Sequence, residues 1–124
     1  MNNKEFEAVI KLSASKRYEY FIKKVVDEEE VWGLYDDGWA MTEDDEGNKM
    51  IPFWHKREFA KFCAIDEWSG YIPECIDLYK FIDNWLIDMK NDKIKPSIFW
   101  NNEDSVLIDI ENLINDLECE LENY

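Results

Sequence analysis

A turn signal set between two aromatic-rich segments constrains this chain more than any other feature. Val31-Trp32-Gly33-Leu34-Tyr35 consists largely of strand formers, and Asp37-Gly38 is a dipeptide that accepts the positive φ of a tight two-residue hairpin. Trp39-Ala40-Met41-Thr42 is then predicted to return as the second strand. Glu43 to Asn48 reads as a longer solvated turn, and Met50-Ile51-Pro52-Phe53-Trp54 as the third strand. Pro52 cannot donate to a ladder, which places that strand at an edge or ends it there.

Helical periodicity flanks this meander. Phe6, Val9 and Ile10 share a face of a first helix that Asn2 or Asn3 can cap. Ser15 is the expected cap of a second helix, whose stripe is Tyr18, Phe21, Ile22, Val25 and Val26, with Lys16, Arg17, Lys23 and Lys24 outside it. The acidic run Asp27 to Glu30 suits the end of that helix, because a helix C-terminus disfavours negative charge. His55 to Ile65 reads as a further helix and Trp68-Ser69-Gly70-Tyr71 as a loop. Pro73 leads into a long helix capped by Asp77, with Leu78, Phe81, Ile82, Trp85, Leu86 and Met89 as its apolar stripe. Ser97-Ile98-Phe99-Trp100 and Val106-Leu107-Ile108 are short strands, Pro96 again limiting the pairing. Asp109 is expected to cap a last helix striped by Ile110, Leu113, Ile114, Leu117 and Leu121. The sum is a single α+β domain over residues 1–124, with an antiparallel sheet of about four or five strands, including the N-terminal meander, packed by helices.

Charge narrows the partners. Twenty-nine Asp and Glu against 14 Lys and Arg give a net charge of −15. Such a surface repels nucleic-acid backbones and attracts basic proteins. From Ser97 to Tyr124 there is no Lys or Arg, and Glu111, Glu118 and Glu122 recur on one helical face. That face is the candidate contact for a basic protein. No apolar run is long enough to span a bilayer and the N-terminus carries no secretion signal, so the expected location is cytoplasmic, with no membrane partner. The oligomeric state is not legible.

Reactive chemistry finds little footing. His55 is the one histidine, and eight residues of helix, about 12 Å of rise, separate it from Cys63. It reads as a helix N-terminal or surface residue. Cys63, Cys75 and Cys119 are widely spaced, with no CxxC, and are expected as reduced, partly buried thiols. If Gly47 took the sixth position of a calcium loop, Thr42 and Phe53 would stand where carboxylates are required. No phosphate-cradling loop or nucleophile elbow occurs. No catalytic residue, metal or cofactor is expected.

Val31-Trp32-Gly33-Leu34, Asp37-Gly38-Trp39-Ala40, Pro52-Phe53-Trp54, Glu58-Phe59-Ala60 and Trp68 together resemble the uncharacterised bacterial family called domain of unknown function 2750. Ile76, Leu78, Phe81, Trp85-Leu86, Leu117, Glu120, Leu121 and Tyr124 fit the same pattern, so the resemblance covers about residues 15–124. It implies a bacterial, cytoplasmic, stand-alone domain and carries no catalytic residue. Three functional readings stay open. The first is a non-enzymatic acidic interaction protein, in one form an immunity-like protein that neutralises a basic toxin. The second is a small-molecule or peptide binding module using Trp32, Trp39, Trp68 and Tyr71. The last is an enzyme built on a buried carboxylate pair.

Overall fold

The computed structural model describes residues 3–123. The expected cap Asn2 and the terminal Tyr124 lie outside them. Helices α1 (Asn3–Ile10) and α2 (Ala14–Glu28) lead into β1 (Glu30–Tyr35). Ser13, not Ser15, caps α2, its hydroxyl accepting from the Lys16 amide. The acidic run ends the helix as expected, with Glu29 left-handed at φ 59°. Then come β2 (Thr42–Glu43), β3 (Lys49–Phe53), α3 (Arg57–Phe62), a 3-10 turn (Asp66–Trp68) and β4 (Ile72–Asp77). A helix α4 over residues 78–91, β5 (Ile94–Ile98), β6 (Val106–Leu107) and α5 (Ile110–Glu122) complete the order. One turn of α4, Phe81–Trp85, is π-helical. Among the described residues no helix is long and apolar enough to cross a membrane.

The α+β class holds, but the strands are divided differently from the expected single antiparallel sheet. β1 pairs antiparallel with β4 as a two-stranded sheet. A second sheet has the order β2-β3-β5-β6, and its central β3–β5 pair is parallel. The segment expected to lead into a helix behind Pro73 is strand β4. It lies along β1, with Leu34 opposite Pro73 and Trp32 opposite Cys75. The chain turns at Asp37-Gly38, but the expected two-residue hairpin is replaced by a three-residue loop, Asp36 to Gly38, closed by a Tyr35–Trp39 bridge with positive φ at Asp37 (57°) and not at Gly38, and β4 takes the partner position that the return strand was expected to fill. A backbone bridge between Trp32 and Trp54, both hydrogen bonds 2.8 Å, joins the two sheets.

Both prolines lie inside central strands rather than on an edge strand. β2 pairs with β3 only at Lys49 and Met50, and β6 pairs with β5 only at Ser97 and Ile98. Pro52 and Pro96 therefore sit just past the ends of these two-residue flanking strands, where no donor is required of them. Each proline stops its neighbour from extending.

The core gathers the expected stripes. Phe21, Val25, Phe53, Trp54, Phe59, Phe81, Leu86, Leu113 and Leu117 are all fully buried. Asp77 caps α4 by accepting from the amides of Tyr79 and Lys80. Asp109 stands at the cap position of α5, yet its carboxylate pairs with Lys95 at 3.4 Å and makes no capping bond. Two expectations fail on burial. Arg17, placed outside the stripe of α2, is 1% exposed, and His55 is 3% exposed. Of the thiols, only Cys63 is buried; Cys75 and Cys119 are exposed.

Gly33 has a packing reason. A Cβ there would meet the Trp39 ring at 3.0 Å, and Trp39 is itself held edge-on against Trp85 at 4.7 Å. Gly33→Ala is expected to cost about 1–3 kcal/mol in chemical denaturation, because the indole must shift. A loss under about 0.5 kcal/mol would mean that the ring moves freely.

Candidate binding groove

The four-stranded sheet packs one face into the core, and its other face floors a groove in which Pro52 and Ser97 are buried while Thr42 and Leu107 are exposed. Cross-strand partners share a face. Ile51, Phe53 and Ile98 point into the core and are 6%, 0% and 0% exposed. The intervening positions, Thr42 opposite Met50 and Pro52 opposite Ser97 opposite Leu107, form the floor of a groove of about 720 Å3. The 3-10 turn adds Ile65, Asp66, Glu67 and Trp68. The segment after β5 adds Trp100, Asn102 and Ser105, and Cys63 closes the lining.

A break in strand alternation shapes one part of this groove. Ser97 faces the groove and Ile98 the core, so Phe99 ought to face the groove again. Instead it adopts φ 58°, a rare conformation for a bulky residue, and is fully buried. Its ring lies 5.1 Å from His55 and 5.0 Å from Phe59, centroid to centroid, and its amide donates to the Phe53 carbonyl at 2.9 Å. Trp100 is thereby delivered to the groove. Its carbonyl accepts from the Trp54 indole at 2.8 Å and from the Cys63 thiol at 3.0 Å.

Arg17 fixes the rest of the segment. Its Nε donates to the Phe99 carbonyl at 3.1 Å and one terminal nitrogen to the Leu12 carbonyl at 2.5 Å. The other nitrogen reaches the Asp104 carbonyl at 2.8 Å and carboxylate at 2.5 Å. Asn101 ties the same segment to α1 through the Ile10 carbonyl at 2.9 Å, while its side-chain oxygen accepts from the amides of Glu103 and Asp104. On the floor the hydroxyls of Ser97 and Ser105 satisfy one another at 2.7 Å.

Burial shifts the titratable groups at and behind the lining. Burial pushes the Cys63 thiol up to about 12, so it is protonated at neutral pH and a poor nucleophile. His55 is pulled down to about 3 by burial, assisted by Lys56 and Lys24. Its Nδ1 has no hydrogen-bond partner among the described residues, and it packs among the rings of Tyr20, Phe59 and Phe99. No group of three or more His, Cys, Asp or Glu among the described residues is placed to hold a metal. Two acids, Asp66 and Glu67, line the groove, and no Lys or Arg does.

Residues 18–117 match the family model described as protein of unknown function (DUF2750). The chain belongs to the DUF2750 family. Every residue lining the groove falls inside the DUF2750 match, whereas Glu120 and Leu121 lie beyond its end. No curated protein matches the chain, and no solved structure does.

The aromatic residues singled out by sequence separate within this DUF2750 fold. Trp68 lines the groove. Trp32 is half-buried in β1 with its indole donating to Glu30 at 3.3 Å. Trp39 packs between Tyr35 and Trp85, and Tyr71 packs against the core. On α5, Glu118 and Glu122 are exposed, while Glu111 is ion-paired with Lys90 of α4, which partly neutralises that face. Sequence reasoning missed Ile65, Trp100 and Leu107. Ile65 and Leu107 are apolar residues that remain 47% and 54% exposed.

Proposed function

We propose that this chain is a binding module that works by contact, and that the groove over the second sheet face is its ligand site. The observation that carries this is the convergence of Trp68, Trp100, Ile65 and Leu107 on one concavity in which the two large aliphatic side chains stay wet. Apolar concavities with a few placed polar groups are where ligands bind, and the volume lies within the range of about 300–1,000 Å3 usual for such sites. The raised thiol of Cys63 and the internally satisfied Ser97–Ser105 pair support recognition rather than bond-breaking.

Site-specific photocrosslinking in producing cells tests the reading. A benzophenone amino acid at position 107 or 65 is expected to give a discrete adduct of defined mass. The same group at position 118 or 122, on the acidic face of α5, is expected to give none. Adducts from α5 without any from the groove would move the site to the helix and end this proposal.

A further inference from the structure

We infer that the occupant of the groove is an extended, basic stretch of a partner protein, its apolar side chains entering between the aromatics and its cations meeting Asp66 and Glu67. This rests on the groove being the ligand site. The first argument is shape. A small ligand is usually enclosed over most of its surface, whereas Ile65 and Leu107 keep about half of their surface in water and leave the site a trough. A trough floored by cross-strand side chains suits a chain whose alternate residues point down into it.

The second argument is charge complementarity. The lining carries Asp66 and Glu67 and no base, within a molecule of net charge −15. An anionic ligand would be repelled from the whole molecule, and a nucleic acid most of all. A cationic segment is drawn in and accelerated toward the site. The third argument is the aromatics. Trp68 and Trp100 both line the trough, and indole rings hold aliphatic side chains as well as the ammonium or guanidinium groups beside them.

The test uses three probes on the intact chain: a capped, dye-labelled peptide alternating Lys and Leu, its counterpart alternating Glu and Leu, and the apolar dye ANS. The Lys/Leu peptide is expected to bind by fluorescence anisotropy, more tightly at low salt, and the Glu/Leu peptide is expected not to bind. Leu107→Asn and Trp68→Ala should each weaken it about tenfold. Asp66→Asn with Glu67→Gln should weaken it about fivefold. Glu118→Gln with Glu122→Gln removes the same charge from α5 and should weaken it less than about twofold. Unchanged melting temperatures confirm that the variants fold.

Equal losses from the two charge-matched pairs, or equal binding of the Glu/Leu peptide, would overturn the inference. ANS bound by the parent chain and lost in Leu107→Asn, with no peptide binding, would leave the groove standing and remove the basic segment. No probe sensitive to Leu107→Asn would remove both.

Discussion

Arg17→Ala is expected to destabilise the fold by about 3–4 kcal/mol, the largest effect of any single polar substitution. Arg17 is 1% exposed, and its guanidinium serves the carbonyls of Leu12, Phe99 and Asp104 as well as the Asp104 carboxylate. Because the Asp104 side chain is 58% exposed, its ion pair is screened and contributes little. The cost comes from carbonyls left without donors and from the space vacated above the Phe99 ring, which the guanidinium covers at 5.7 Å. Arg17→Lys should recover less than half, since one ammonium cannot span three separated acceptors. Urea unfolding with an unchanged m-value is the measurement. A loss below about 1 kcal/mol would show that residues 99–104 hold their shape without this latch. The same latch positions Trp100 and Asn102, so groove binding should fall in Arg17→Lys even where the chain stays folded.

Acid is expected to weaken the protein through His55. Its folded value lies near 3 against the ordinary 6.5, chiefly because burial penalises the charged ring. Since the folded value is depressed, the unfolded chain takes up a proton that the folded chain refuses. His55 therefore costs no stability above about pH 6.5 and removes about 1.4 kcal/mol per pH unit below it, down to about pH 3. The nearby charges of Lys56 and Lys24 reinforce the sign. His55→Leu keeps an apolar group of similar volume among Tyr20, Phe59 and Phe99 and removes an Nδ1 that has no hydrogen-bond partner among the described residues. Its stability at pH 8 should stay within about 1.5 kcal/mol of the parent. Between pH 6.5 and about 4.5 it should lose about 2–3 kcal/mol less than the parent does. Parallel acid curves for the two proteins would show that the imidazole is protonated in the folded state.

Much of the fold could be read from residue order, because helix periodicity is local. The stripes of α2, α4 and α5 and the cap at Asp77 follow from neighbours within a few residues. Sheet partners do not. β4 is recognisable only once β1 is seen to need a strand beside it, and the π-turn over Phe81–Trp85 hides in a stripe that reads as regular helix. Arg17 and His55 look like surface residues because nothing within their own helix or turn reveals the distant carbonyls and rings that enclose them. The groove was the least legible part. Its lining comes from segments spread between Thr42 and Leu107, and of the aromatic residues that the sequence offered for a ligand site only Trp68 is among them. Ile65 and Leu107, apolar residues that belong to no stripe, were the available clue.

The placement of Pro52 and Pro96 has a consequence for behaviour at high concentration. A sheet with long outer strands invites other molecules to add on, strand by strand, into fibrils. Here the outer strands of the four-stranded sheet are only two residues long, too short a template for such growth. The four-stranded sheet can thus offer its groove to a visitor without presenting a long edge of its own for copies to extend.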